Sequence, residues 1–254
     1  MTRTESGLGG LFRAAPIAMT GLVVITLACW VFFFAGAGTG MSVRMMSLPG
    51  LPAMGGPSGT VDVPSGAGAV STAFMWWTMM IAMMMPGTVR RLAARPGGNG
   101  SPSARVLGFS ASYAAIWLGF SVAATVAQFL LAEAGLLHGM LLWSTSPWFS
   151  AALLGFAGAY QFTGLKTRCL TNCHAVPSGA SPLRDGAVYG LNCLVSSVPL
   201  MLLLYVGGVM NAYWVVLLTV IVTVEKTLRN PKPFSAAVGA AGLLAAVMVL
   251  IAAI

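Results

Sequence analysis

The sequence predicts an all-α membrane protein, a bundle of about seven transmembrane helices. Of its 254 residues, 57% are hydrophobic and only 7% are charged, whereas a soluble domain carries about 25% charged residues. Backbone groups in lipid must be satisfied within helices or a closed barrel. Barrel strands alternate in polarity over about ten residues, but the apolar runs here are long and continuous. Helices are therefore the predicted solution.

The distribution of basic residues predicts the orientation of the bundle. The net charge of +8 would suggest nucleic acid binding in a soluble protein. Here the basic residues cluster at the ends of apolar segments, which is the signal of membrane orientation. With a cytosolic N-terminus, Arg44 is the one member of the 13 Lys and Arg that falls outside. We therefore predict a multi-pass membrane protein, with lipid and not nucleic acid as its surroundings.

The predicted spans follow one another without a domain boundary, so residues 1–254 form a single membrane domain. The first span could be a signal peptide, because Ala35-Gly36-Ala37 resembles a cleavage site, but its apolar run exceeds the 7–15 residues of a signal core. A Gly/Pro-rich external loop at 38–69 contains Met41, Met45, Met46 and Met54. The seven spans are predicted at residues 16–37, 70–89, 106–132, 147–165, 187–206, 209–228 and 234–252.

A methionine stripe marks the second span. Met75, Met79 and Met83 recur every four residues, so they share one helix face. Thioether sulfurs suit Cu(I), although methionine more often serves as flexible packing. Pro86 is expected to kink or end this helix.

Three of the four cysteines lie near the junction of the fourth and fifth spans. Cys169 and Cys173 are four residues apart, His174 follows, and Cys193 lies about two turns into the fifth span. Thiols on the predicted cytosolic side stay reduced, so they are available as ligands. Three thiolates favour Cu(I), and addition of His174 would complete a tetrahedral, zinc-like set. The alternative is that these cysteines are small buried hydrophobes.

Charged and polar residues near this junction have structural interpretations as well. The basic Lys166 and Arg168 are expected to lower the pKa of the neighbouring thiols. Glu225 is expected to pair with Lys226, Lys166 or Arg168. The amides Gln161, Asn192 and Asn211 are expected to form hydrogen bonds between helices.

Several of these features together resemble the DUF2182 family of predicted metal-binding integral membrane proteins. The resemblance covers about residues 70–230 and implies a multi-helix protein of the bacterial plasma (inner) membrane with a metal site. In place of a further cysteine pair of the family, this chain has Ser196-Ser197, and His174 stands where the family usually has arginine. The matching features are Trp76-Trp77 through Pro86, Tyr160-Gln161, Lys166, Cys169-Leu170, Cys173, Gly190, Cys193, Met201, Gly208-Val209-Met210-Asn211, Trp214 and Glu225-Lys226.

Two functions of different class follow as hypotheses. The first is a metal-binding membrane protein that handles copper, either as a transporter or as an assembly factor for a metalloenzyme, with Cu(I) or Zn as the ion. The alternative is a structural or accessory subunit of a larger membrane-bound enzyme complex. Catalysis by the chain alone is a weaker hypothesis, because it has two histidines and five carboxylates. The predicted metal ligands are Cys169, Cys173, Cys193, His174, Met79 and Met83.

Overall fold

A computed structural model describes residues 15–35, 66–93, 101–137, 142–174, 181–228 and 230–254. These residues are helical apart from turns and an isolated antiparallel bridge between Leu137 and Ser144, so the all-α prediction is confirmed. The predicted external loop lies mostly outside the described residues, as do its four methionines. The helices are α1 (Pro16–Phe34), α2 (Gly66–Ala93), α3 (Pro102–Glu133), α4 (Pro147–Tyr160), α5 (Gly164–His174), α6 (Pro182–Leu202), α7 (Leu204–Gly207), α8 (Ala212–Thr227) and α9 (Lys232–Ala252).

Five segments of the described chain are long and apolar enough to cross a membrane. The helices α4 and α8 have 14 and 16 residues, and a full crossing needs about 20. The chain is thus a helical, multi-pass membrane protein, while seven spans and their orientation stay predictions. The five segments are Pro16–Phe34, Gly68–Thr88, Pro102–Glu133, Pro182–Gly207 and Lys232–Ala252.

The outer surface of the bundle is apolar. On α9, Leu244, Met248 and Ile251 have the spacing of one helix face, and their side chains are 65%, 69% and 68% exposed. A large contiguous apolar surface marks contact with a partner or with membrane. Together with the length of α9, this face indicates lipid.

Polar side chains cap the helices where they begin. Ser101 Oγ accepts a hydrogen bond from the backbone of Ala104 at the start of α3, and Ser146 does the same for α4. Asn211 Oδ1 accepts from the backbone N–H of Tyr213 at the start of α8. These caps satisfy N–H groups that a helix leaves without an internal partner. Asn211 therefore caps α8, and the interhelical bond that the sequence suggested for it stays a prediction.

Glycines allow α4 and α9 to approach closely. A Cβ atom added to Gly158 would lie 2.9 Å from the carbonyl oxygen of Gly239, which is closer than packed side chains tolerate. Small residues at such contacts are typical of helices packed in a membrane. The contact holds the start of α9 against the end of α4, beside the polar groups described below.

Pro86 does not end the second helix, since α2 continues to Ala93. A proline has no N–H, so the carbonyl of Ala82, four residues earlier, loses its helical donor. The indole of Trp30 on α1 donates to that carbonyl oxygen at 3.1 Å. The neighbouring helix therefore satisfies the acceptor that Pro86 leaves free.

The predicted fourth span is interrupted. Helix α4 ends at Tyr160, and α5 begins at Gly164 after a short turn. The hydroxyl of Thr163 accepts a hydrogen bond from the backbone of Lys166 in the first turn of α5. Cys169 and Cys173 therefore lie on a separate short helix, which packs against α6, and not on an extension of α4.

Candidate metal centre

A lysine ammonium is buried beside two sulfur atoms at the contact of α2, α6 and α8. Lys226 is only 8% exposed. Its Nζ donates to Cys193 Sγ at 2.8 Å and to Met84 Sδ at 3.3 Å. Among the described residues these two sulfurs are its hydrogen-bond acceptors. Both sulfur atoms are therefore in contact with a cation, the ammonium of Lys226.

A tyrosine on α3 also contacts Cys193 and Met84. The hydroxyl of Tyr113 lies 3.1 Å from Cys193 Sγ and donates to the backbone carbonyl of Met84 at 3.3 Å. Tyr113, Cys193 and Met84 are all buried. We call Cys193, Met84, Lys226 and Tyr113 the sulfur site. Each residue comes from a different helix, so the site exists only when the bundle is assembled.

An ion-pair cluster lies beside the sulfur site. Lys166 Nζ contacts both carboxylate oxygens of Glu225, at 2.7 and 2.9 Å. Lys166 and Glu225 are 1% and 2% exposed. The ammonium also donates to Gln161 Oε1, and the hydroxyl of Ser235 donates to Glu225 at 2.8 Å. Of the partners predicted for Glu225, the structure selects Lys166.

The geometry of α8 separates the two clusters. Glu225 and Lys226 are consecutive, and consecutive helical side chains point about 100° apart because a turn has 3.6 residues. Glu225 therefore reaches α5 and α9, while Lys226 reaches α2 and α6. The end of α8 thus connects a cluster of oxygen and nitrogen atoms to a cluster of sulfur atoms.

Burial dominates the electrostatics of Lys166. Loss of hydration lowers the pKa of this ammonium, and the carboxylate of Glu225 opposes that change by favouring the charged form. A buried ammonium without such a partner would be strongly unfavourable. Glu225 is therefore what allows Lys166 to stay charged inside the bundle.

Comparison with known protein families identifies the family of this chain. A family model described as PpoB2 copper chaperone matches residues 73–249, which is more than half of the chain. The protein belongs to this copper chaperone family. The family was formerly DUF2182, so the resemblance seen in the sequence is confirmed. No curated protein and no solved structure matches the chain.

Membership of the copper chaperone family implies copper binding, and the sulfur site has the donor atoms for it. Thiolate and thioether ligands favour soft metals, among them Cu(I). Cys193, predicted as a ligand, lies in this site. Met84 was not among the predicted ligands, nor were Lys226 and Tyr113. The paired methionines and Glu225-Lys226 of the family pattern were the signal that could have identified Met84 and Lys226.

The other predicted thiols of this member of the copper chaperone family lie on α5. Cys169 and Cys173 are both buried and occupy neighbouring turns of that helix. Burial raises the pKa of Cys169, so the expectation that Lys166 and Arg168 lower it is wrong. The reason is that the ammonium of Lys166 pairs with Glu225 instead. Any metal bound at Cys169 would have to displace a more firmly held proton.

The full predicted ligand set is only partly described. The side chain of His174 lies outside the described residues, as does His138. Among the described residues, no three His, Cys, Asp or Glu side chains form a cluster that could hold a metal. The three described thiols, Cys169, Cys173 and Cys193, form no such cluster by themselves, and a site that includes His174 stays a prediction.

The predicted thioethers Met79 and Met83 are buried on α2, and Met80 and Met84 are buried beside them. Met79 precedes Met83 by one turn, and Met80 precedes Met84 by one turn. The structure therefore places sulfur on more than one side of α2. Met84 is the one with a described contact at the sulfur site.

Proposed function

We propose that this protein binds Cu(I) as cargo at the sulfur site and delivers it to a copper-dependent enzyme at the membrane. The observation that carries the proposal is the buried ammonium of Lys226, held by Cys193 Sγ and Met84 Sδ. A pocket that stabilises a cation with soft sulfur donors is suited to Cu(I).

Cys193 and Met84 would have different tasks in cargo binding. The thiol of Cys193 supplies a negatively charged ligand when it loses its proton, whereas the thioether of Met84 is neutral and binds more weakly. Tyr113 orients Cys193 through their 3.1 Å contact. Met79 and Met83 on α2, and Cys169, Cys173 and His174 on α5, are proposed as further positions along the route of the cargo.

The binding experiment is a Cu(I) titration of the purified, reduced protein against a chromophoric chelator in detergent. We expect one tightly held Cu(I) in the parent protein and its loss in Cys193→Ser. Met84→Leu conserves volume and should weaken binding without unfolding the bundle. The matched controls are Cys29→Ser on α1 and Met248→Leu on the exposed face of α9, which should bind like the parent. Unchanged binding in Cys193→Ser would refute the site.

Delivery and transport are separated by a second experiment. Vesicles containing the protein are loaded with Cu(I) chelator inside, and Cu(I) is added outside. A chaperone that delivers to a membrane partner should bind Cu(I) without accumulating it inside. Accumulation that depends on Cys193 would instead favour transport.

The alternative role as an accessory subunit predicts a different result. Purification in mild detergent would then retain a stable complex with other membrane proteins. A Cu(I)-free preparation that gains neither metal nor stability on titration would favour this role over the chaperone proposal.

A further inference from the structure

A cavity separate from the sulfur site lies where the turn between α4 and α5 meets the start of α9. Its volume is about 480 Å³, which falls in the range of small-molecule sites. The described lining contains three cationic side chains and no acidic one. These cations are Lys166, Arg168 and Lys232.

Two of these cations are available to a ligand. Lys166 is neutralised by Glu225 behind the cavity wall. Arg168 and Lys232 are exposed, and neither forms an ion pair among the described residues. The positive field of the cavity therefore comes from Arg168 on α5 and Lys232 on α9.

A buried amide in the wall supplies an independent observation. Gln161 lines the cavity and is 5% exposed. An ammonium can only donate, so the contact with Lys166 must use the oxygen of this amide. Its Nε2 is left without an acceptor among the described residues. A buried donor without a partner costs free energy, and an anionic oxygen would satisfy it.

The start of α9 adds a helix N-terminus to the cavity wall. Its N-cap is Pro231, which makes no side-chain cap, and the first turn has no acidic residue. The N-terminus of a helix favours negative charge because its N–H groups point outward. The exposed ring of Phe162 and the side chain of Leu170 give the same cavity an apolar edge.

We propose that this cavity binds the phosphate group of an anionic phospholipid. The predicted topology places α5 and the start of α9 at the cytosolic face, where anionic lipid attracts basic residues. Arg168 and Lys232 would hold the phosphate oxygens, and the apolar edge would follow the glycerol and the acyl chains. The bound lipid would join α4, α5 and α9 without occupying the sulfur site.

The test uses the full chain, delipidated in detergent and titrated with phosphatidylglycerol, with retained lipid counted by native mass spectrometry. Each basic residue near a membrane surface contributes about 1 kcal/mol, or about fivefold in affinity. We expect Arg168→Gln and Lys232→Gln each to lose about that factor. Arg184→Gln removes an exposed cation that does not line the cavity, and it should bind like the parent.

Three outcomes would overturn the proposal. Equal losses in all three variants would mean diffuse attraction to a basic surface. Equal binding of phosphatidylcholine with the same acyl chains would remove the preference for an anionic lipid. Displacement of the lipid by equimolar inorganic phosphate would assign the cavity to a soluble phosphate compound. Copper binding is not part of the readout, so the result is independent of the chaperone proposal.

Discussion

Lys226 is the residue whose surroundings most constrain the chemistry of this protein. Removing an ammonium from water is costly unless it is paired and hydrogen-bonded. Here its acceptors among the described residues are two sulfur atoms. If Cu(I) binds the same sulfurs, two positive charges meet in a region of low dielectric constant. The ammonium of Lys226 would then weaken Cu(I) binding and favour release of the cargo.

Lys226→Leu should therefore bind Cu(I) about tenfold more tightly, because a hydrogen-bonded charge contributes about 1.5–3 kcal/mol. The change removes the ammonium and leaves an apolar side chain near Gly87, which the lysine stem approaches. Affinity is measured by chelator competition, with Lys232→Leu as the control at an exposed lysine. A lower affinity in Lys226→Leu would show that the ammonium supports the site.

Substitution of Glu225 should have a large effect on the stability of the fold. Glu225→Gln leaves the charge of Lys166 buried without its carboxylate, and breaking a buried pair costs about 3–5 kcal/mol. The free energy of unfolding is measured by denaturant titration in detergent. Lys166→Met combined with Glu225→Gln should recover most of the loss, because no unpaired charge remains. Glu133→Gln, at an exposed carboxylate, should have little effect.

The pKa of Lys166 makes the stability loss of Glu225→Gln depend on pH. Burial holds the folded pKa below the ordinary value of 10.5, so in alkaline solution the unfolded state binds the proton more readily. Stability then rises with pH. Loss of the Glu225 carboxylate lowers the folded pKa of Lys166 further, so the defect of Glu225→Gln should shrink as the pH rises from the folded pKa of the variant to that of the parent protein, both below 10.5. A constant defect would contradict this origin.

At the scale of elements, a hydrogen bond made possible by Pro86 connects α1 to α2. Pro86 frees the carbonyl of Ala82, and Trp30 supplies the missing donor. In a membrane no water competes for such a carbonyl. The packing of α1 against α2 therefore depends in part on this hydrogen bond, which replaces the one that Pro86 removes from α2.

Trp30→Phe should destabilise the bundle by about 1–3 kcal/mol, the cost of an unsatisfied buried acceptor. In a Pro86→Ala background the helix regains its own N–H, so the same change should cost less. Both effects are read from unfolding free energies in a double-mutant cycle. Trp148→Phe, at an exposed indole, is the control. Equal costs in both backgrounds would show that Trp30 acts only through packing.

For the whole molecule, the open question is how α4 and α8 relate to the bilayer. At 1.5 Å per residue, helices of 14 and 16 residues are shorter than a hydrocarbon core of about 30 Å. A short hydrophobic helix can be accommodated by thinning of the bilayer. The count of seven spans requires that both cross.

A cytosolic N-terminus and seven crossings place the C-terminus outside the cell. An alkaline phosphatase fused after Ile254 should then be active, and a fluorescent protein at the same position should not fluoresce. Fusions after Leu228, predicted to be cytosolic, should give the opposite pattern. An active phosphatase at both positions would contradict the predicted orientation.

The amino-acid sequence by itself determined the helical class, the membrane setting and the family. Long apolar runs and a shortage of charge allow few other structures, because every backbone group in lipid needs a partner. It also indicated the region of Cys193 and Glu225-Lys226. These conclusions depend on local composition and order along the chain.

The tertiary structure decided which side chains meet. Periodicity predicts which face of a helix a residue occupies, but not which helix that face contacts. The helix-face pattern therefore favoured Met79 and Met83 as ligands, although Met84 is the thioether beside Lys226. Glu225 likewise had three possible cationic partners, and the packing of α5 on its neighbours brought Lys166 to it. Such pairings depend on contacts between distant segments, which only the assembled bundle specifies.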